Sequence, residues 1–312
     1  MPENQPFISI ITVNYNQIKV TTELLDSLRK SAYRHFEVFV VDNGSDDDPF
    51  PLLTNQYPEV NLIQSHRNLG FAGGNNLAIK EAKGDYLFFI NNDAEIIEDT
   101  LGTLVNSFDK IPNLGVVSPM IYYHPSVLDE KIDEEMRTKV IQYAGTTPVH
   151  FLTARNRTIG EREIDEGQFD KPVPTAYAHG AAMMVSRAVI EEVGMMPEDF
   201  FLYYEELDWC EQIRRAGFEL YVEPKAKIYH KESFTVLKMN SLKSYYINRN
   251  RILFMRRNRK KWQVIVFGIF FLLISVPKNT LTFLLKGEMA NLMAFYSGVR
   301  DGFRNVTGYK AF

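Results

Sequence analysis

GDYLFFINNDAEI, residues 84–96, is the stretch on which the fold turns. Tyr86 to Ile90 is an apolar run of the length of a buried strand, and it stops abruptly at Asn91, Asn92 and Asp93, with Glu95 two positions on. In open α/β sheets, ligands bind just past the carboxyl ends of such strands. Carboxylates there suit an oxygen-seeking divalent cation and the phosphates it carries. Asn-Asn-Asp is also good turn chemistry, so the surrounding sequence has to decide.

Working outward, the first third alternates strand and helix signals over short connections. FISIITVNY (7–15) predicts a strand, and Leu24, Leu25 and Leu28 give one apolar face to a helix over 19–31. HFEVFVVDNGS (35–45) predicts a strand that ends at Asp42 in an Asn-Gly-Ser turn. A strand at 60–64, a helix over 73–82, a helix near 99–108 and a strand at 114–118 continue the alternation. Repeated βα units of this kind imply an α/β fold, with a largely parallel, twisted sheet flanked by helices. Three strand ends should then converge on one edge: Asn14–Asn16, Asp42–Ser45 and Asn91–Glu95. Residues 119–172 are less regular, and HPSVLDEKIDEEMRT within them reads as a solvated loop or surface helix. Order returns with a small-residue strand pair around His179 and Gly180, a helix over 207–216 and a short strand at 219–222.

Composition narrows the class. With 312 residues, 45% of them hydrophobic, the chain can bury a substantial core. A net charge of -4 gives no general field for nucleic acid. The single cysteine, Cys210, leaves no internal disulfide and fits a reducing compartment. The polar start followed by a strand-like segment is no secretory signal, so the active part is expected in or facing the cytoplasm.

Several groups can carry chemistry. Asp42 can accept hydrogen bonds from ribose hydroxyls or a base N–H, although an Asx turn would use the same side chain. In HRNLGFAGGNNLAIK (66–80), Gly70, Gly73 and Gly74 permit close backbone approach at a helix N-terminus. Their spacing fits neither G-x-G-x-x-G nor a Walker A loop, which counts against a dinucleotide oxidoreductase and a P-loop NTPase. In FFLYYEELDWCEQIRRAG (200–217), Glu205 and Glu206 lie at a helix start with Asp208 close behind. The aromatic Phe200, Phe201, Tyr203 and Tyr204 before them would raise a nearby carboxylate's pKa and make it a better base. Helix capping would account for one such acid. His230, in AKIYHKES, is by its local context a structural or metal-binding histidine.

In this order ISIITVNYN, FEVFVVDNGSDD, NLGFAGGNNLAIKEAKGDYLFFINNDAEI, HGAAMMVSRAVIEEVG, FFLYYEELDWCEQIRRAGF and INRNRILFMRRN resemble the inverting family 2 glycosyltransferases of the GT-A fold, rhamnosyltransferase-like branch. The likeness covers roughly residues 7–260. It implies a glycosyltransferase domain over 1–240, with a nucleotide-binding half (7–118) and an acceptor half (119–240), and a helical extension over 241–312. It implies that Asn14, Asn16, Asp42, Asn68, Gly73, Asn75, Asn91, Asn92 and Gly180 bind a nucleotide-sugar donor, with dTDP or UDP as the nucleotide. Asp93 then holds a divalent metal, Mn²⁺ or Mg²⁺, and His230 matches a histidine that can complete that site. Asn91 stands where the family usually has an aspartate, which lowers the carboxylate count. Glu206 falls at the position of the family's catalytic aspartate, with Glu205 the alternative base one residue earlier; with Glu206 as base, Glu205 and Asp208 orient the acceptor or neighbouring groups. The implied reaction is inverting transfer of a sugar, rhamnose among the candidates, to a glycan or lipid-linked acceptor in envelope polysaccharide synthesis. A nucleotidyltransferase would want a basic Gly-rich loop near the N-terminus, and VNYNQIK is not one. A non-catalytic relic would explain Asn91 but not the retained acids Asp42, Asp93, Glu206 and Asp208.

The tail adds a membrane expectation. Lys243, Arg249, Arg251, Arg256, Arg257, Arg259, Lys260 and Lys261 precede an apolar stretch from Trp262 to Pro277. About 16 apolar residues fall short of the roughly 20 that cross a bilayer, so a peripheral or re-entrant anchor on anionic lipid at the inner face of the plasma membrane is expected. A helix buried over the sheet is the competing reading.

Overall fold

The computed structural model describes residues 5–129, 133–232 and 240–310. Strands β1 (Ile8–Asn14), β2 (Phe36–Asn43), β3 (Val60–Ser65) and β4 (Tyr86–Ile90) alternate with helices α1 (Ile18–Arg29), α2 (Phe50–Gln56) and α3 (Gly70–Ile79). The chain continues through β5 (Ala94–Ile96), α4 (Thr100–Lys110), β6 (Leu114–Tyr123), α5 (Glu134–Arg137), β7 (Ile141–Tyr143), β8 (Val173–Pro174) and β9 (Ala182–Ser186). It then forms α6 (Arg187–Val193), α7 (Glu205–Arg215) and β10 (Glu219–His230). Three helices close the chain: α8 (Asn240–Asn258), α9 (Lys261–Leu285) and α10 (Met289–Phe303).

Ten strands make one sheet, with the order β3-β2-β1-β4-β9-β6-β10-β5 and with β7 and β8 pairing off that path. The first four are mutually parallel, and β9 runs antiparallel between β4 and β6. Helices cover both faces, so the central strands are buried on both sides, which is why they read as unbroken apolar runs. The parallel register sets Asn14 beside Asp42 and brings the ends of β1, β2 and β4 to one edge, as expected.

Two expectations need correction. The short strand at 219–222 is the first part of β10. A register shift between Glu223 and Lys227 lets it continue alongside β6, so His230 is a strand residue and pairs with Ala94. The helices beyond 240 do not stand apart from the core. Ile252, Leu253, Phe254 and Met255 of α8 pack in the same cluster as Phe89 and Trp209. Gly298 of α10 meets α8 so closely that a Cβ there would lie 2.4 Å from the Tyr245 carbonyl oxygen.

Much of the basic run is accordingly engaged inside the fold. Arg249 and Arg251 are buried. Arg257 pairs with Asp199 and Asp208, Arg259 with Glu211 at 2.9 Å, and Arg256 caps the Phe303 carbonyl. The apolar stretch is longer than its composition suggested: α9 runs unbroken through 25 residues, with a π-helical segment, Phe271–Ser275, just before Pro277. Widening the helix there accommodates a proline that lacks the N–H for a regular bond. Only 11% of its apolar window is buried, so the reading of α9 as a core helix fails.

Candidate active site

At the strand-end edge, the polar residues first hold one another. Asn14 Nδ2 donates to Asp42 Oδ1 (2.9 Å) and to Ser45 Oγ (3.2 Å). Thr21 Oγ1 donates to Asn14 Oδ1 (2.9 Å) and accepts from Asn92 Nδ2 (3.1 Å). One chain of bonds thus runs from the end of β2, across β1 and α1, to the loop after β4. Asn16, with φ of 55°, exchanges bonds with Asp46 and pins the loop after β1 to the loop after β2. Asn14 and Asp42 are each 1% exposed, so they form the floor of the edge, and Asn16, Ser45 and Asn68 stand nearer solvent. Asn68 Oδ1 accepts from Asn43 Nδ2 and from the Gly70 N–H that opens α3.

Asn75 does not reach this edge. It is buried inside α3 and its Nδ2 bonds back to the Phe71 carbonyl at 2.9 Å. Gly73 is also buried, and a Cβ there would lie 2.8 Å from Leu69 Cβ. Both are engaged in the packing of α3, whereas their expected place was at the donor.

Asp93 and His230 meet because β5 pairs antiparallel with β10. Asp93 Oδ1 lies 3.0 Å from His230 Nε2, and Asn91 Nδ2 lies 3.3 Å from the same ring nitrogen. Gln142 Oε1, 2.9 Å from Nδ1, fixes the ring from behind. Ordering a ligand imidazole through its second nitrogen is the usual outer-shell device at metal sites. Among the described residues no set of three or more His, Cys, Asp or Glu groups converges. One carboxylate and one imidazole nevertheless fit a cation that takes its remaining ligands from water and substrate phosphates, as Mg²⁺ and Mn²⁺ do. A cavity of about 910 Å³ opens on Asp93 between α1 and the end of β10, lined also by Asn16, Glu95 and Lys231. It does not extend to Asp42 or Glu206. Glu95 there is pushed down to about 2 by hydrogen bonds from His124 and Lys231, so it is a fixed anion facing a fixed cation.

The second acid cluster reaches the same place from α7. A methyl group on Gly180 would come within 3.8 Å of Glu206 Cγ and 3.9 Å of the Phe71 ring. The next residue, Ala181, accepts the Asn91 N–H at 2.9 Å. Glu206 is thus one residue of chain away from the loop that carries Asp93. α7 opens two residues earlier than expected, at Glu205. Burial raises the carboxyls of both Glu205 and Glu206 well above the ordinary range, and the neighbouring Glu206 charge adds to the shift at Glu205. Burial likewise holds His179 down at about 3, so it stays neutral beside His230. Asp208 is engaged elsewhere: its carboxylate is held by Gln212 (2.8 Å) of its own helix and by Arg257 (3.2 Å) and Asn258, which tie α7 to α8.

Sequence reasoning missed Thr21, Ser45 and Gln142. Ser45 was visible beside Asp42, but Thr21 and Gln142 sit in an ordinary helix and a short edge strand and carry no local signal.

Comparison with known proteins points one way. A model of "Glycosyl transferase family 2" matches residues 9–194. The hexosyltransferase Agl10 of low-salt glycan biosynthesis from Haloferax volcanii is 27% identical over 79% of this chain and 74% of its own. The dTDP-rhamnosyl transferase RfbF of Shigella flexneri is 24% identical over 96% of this chain and 97% of its own. Among solved structures, TarS of S. aureus superposes with a TM-score of 0.58 at 18% identity, over 96% of this chain and 80% of that one. The mannosyltransferase PcManGT of Pyrobaculum calidifontis, solved with GDP-Man and Mn²⁺, gives 0.57 at 15% identity, over 97% and 88%. At these identities the structures speak for the GT-A fold alone.

Proposed function

The chain belongs to glycosyl transferase family 2, and from that premise we propose that it transfers a hexose, rhamnose first among the candidates, from a nucleotide-diphosphate donor to a hydroxyl of a glycan or lipid-linked acceptor, with inversion. The observation that carries this reading is the approach of Glu206, across Gly180 and Ala181, to the loop bearing Asp93. An end-to-end likeness to a protein named as a dTDP-rhamnosyl transferase supports the choice of sugar and nucleotide.

The chemistry divides between the two clusters. The Asn14–Asp42–Ser45 floor and Asn16 offer acceptors and donors for a nucleoside. Asp93 and His230 would hold the cation, which when bound neutralises the charge growing on the leaving diphosphate. Glu206 accepts the proton of the acceptor hydroxyl as its oxygen attacks the anomeric carbon from the face opposite the leaving group. A carboxyl raised by burial is the stronger base once ionised, so its reluctance to charge helps the step. One displacement inverts the anomeric centre through a transition state with oxocarbenium character.

The chain's work is also expected at a lipid surface. Trp262, Ile265, Ile269, Leu273 and Leu285 of α9 are each more than half exposed. Phe267 and Phe271 of the same helix are buried in the core, and Phe283 packs on Phe295 of α10, so α9 is held along its length. A helix docked this way would lie in the membrane interface rather than cross it, with the catalytic edge on the cytoplasmic side. A radiolabelled-donor assay with and without Mn²⁺ or Mg²⁺, after a thermal-shift screen of dTDP-, UDP- and GDP-sugars, tests the reaction. Absence of metal-dependent turnover with every donor that stabilises the fold would defeat it.

A further inference from the structure

The turn that delivers Glu205 and Glu206 has an unusual backbone. Phe201, Tyr203 and Tyr204 all take positive φ, at 66°, 70° and 77°. Bulky side chains rarely enter that left-handed region, and such conformations persist only where the surroundings over-determine them. The surroundings here are supplied by α8. A single amide group, Asn250 Nδ2, donates to the carbonyls of Phe200 (3.0 Å), Leu202 (2.8 Å) and Tyr203 (2.8 Å). Arg249 Nε holds the other end of that amide, Oδ1, at 2.8 Å, so its nitrogen must face the turn. The Arg249 guanidinium also donates to the Phe200 carbonyl (2.6 Å) and, toward the chain terminus, to the Gly308 carbonyl (2.6 Å). It is fully buried, with the rings of Tyr245 and Tyr246 beside it.

The Phe201 carbonyl of the turn faces the donor side. Phe201 accepts the N–H of Phe71 at 3.1 Å in the first turn of α3. Gly70 is required at that contact, because a Cβ would meet the Phe201 oxygen at 2.2 Å, and its own φ is 78°. The aromatic turn is therefore gripped by α8 on one side and pressed against the Gly-rich loop on the other.

We propose that Arg249 and Asn250 are positioning residues for the acid pair: they hold the left-handed turn over 201–204 that aims Glu206 at Gly180 and locks it to the donor-side helix α3. This rests on Glu206 being the base. It also makes α8 a component of the active site, and the terminal helices more than an appendage.

The test compares Asn250→Asp, which keeps size but cannot donate to the carbonyls, with Leu253→Ala, a purely apolar loss in the same helix. N250D should lower kcat about 100-fold, the scale of an ångström-level misplacement. Donor KM should stay within about twofold, and the acid limb of the kcat–pH profile should move as the acid pair changes surroundings. L253A should lower Tm and leave kcat per folded molecule and the limb unchanged. Asn250→Ser, which keeps one donor, should fall between wild type and N250D and serves if N250D does not fold. Wild-type kcat and pH profile in N250D, or an equal kcat loss in L253A, overturns the proposal. E206Q, measured alongside, separates the failures. Full activity in E206Q removes the base and the clamp together, whereas an inactive E206Q beside an unaffected N250D removes the clamp alone.

Discussion

The strand-end edge and the aromatic turn both bring carboxylates to one place, and they do so in opposite ways. At the edge the backbone is regular parallel sheet, and each acid meets a ready partner: Asn14 and Ser45 at Asp42, His230 at Asp93. At the turn, three bulky residues sit in the left-handed region, and the acids that follow are pushed toward neutrality by burial. An edge of partnered, charged groups can receive a cation and phosphates with little rearrangement. A turn whose carboxyls resist charging suits a proton acceptor. The difference teaches that backbone regularity follows the chemistry each region performs. Sheet ends suffice to place charge, whereas a tuned pKa demands burial and a backbone held against its preference.

The sharpest way to break the comparison is at Asp93. Asp93→Ala removes the only carboxylate in the pair with His230, so metal-stimulated transfer should fall by about 1,000-fold or more. Tm without metal should change little more than for an ordinary buried substitution. Turnover near wild type, measured by product release across an Mn²⁺ titration, would show that the edge holds no essential cation.

Next in size is Glu206. Glu206→Gln keeps shape and hydrogen bonding but cannot take a proton, so kcat should drop about 100-fold or more with donor affinity preserved. In the wild type, activity should fall as pH drops through the raised carboxyl value, placing the acid limb above the ordinary glutamate range. If Glu205→Gln is the crippled variant and Glu206→Gln is active, the base sits one residue earlier.

A smaller effect separates the two regions by stability. The Glu205 pKa is higher in the folded chain than in the unfolded one, so its contribution is fully present below the ordinary carboxylate range and is lost as pH rises through the raised value. Gln stays neutral throughout. Glu205→Gln should therefore raise Tm relative to wild type by a margin that widens from pH 5 to pH 8. Each kcal/mol would read as about 2–4 °C. A constant Tm difference for Glu205→Gln over that range would mean its carboxyl is not held neutral.

The fold was legible in the sequence to different depths in these regions. The edge announced itself because apolar strands end in Asn and Asp at fixed places, and parallel register then brings Asn14, Asp42 and Asn91 together without further information. Asp93 with His230 needed the antiparallel pairing of β5 and β10, which no local pattern encodes, and only the family resemblance linked them. Asp208's surroundings were not legible, because three acids close in sequence need not share a face: one turn of helix carries Asp208 round to Arg257 and Asn258. The basic run misled because charge in sequence says nothing of partners. Arg249 is buried at the turn and Arg259 lies against Glu211, and in both the cation holds the fold together.

The smallest expected effect on chemistry concerns the membrane. Deleting everything beyond 240 is no clean test, because it would remove α8 and with it Arg249, Asn250 and part of the core. Point changes on the exposed face of α9 are cleaner. Ile265 and Leu273 are 62% and 68% exposed, so glutamate at either position can point into solvent and should leave Tm within about 1–2 °C of wild type. At a lipid surface the same change removes apolar contact worth roughly 1.5–3 kcal/mol for a fully buried side chain and sets a negative charge against anionic headgroups. The double variant Ile265→Glu, Leu273→Glu should therefore lose most of its co-sedimentation with anionic vesicles, yet keep wild-type kcat toward a soluble acceptor analogue. With most of the arginines engaged inside the fold, Lys260 and Lys261 beside Trp262 remain as exposed cations at the start of α9. Binding should then weaken only modestly with salt, since apolar insertion is not screened. Vesicle binding unchanged in the double variant would show that α9 is covered by something other than lipid.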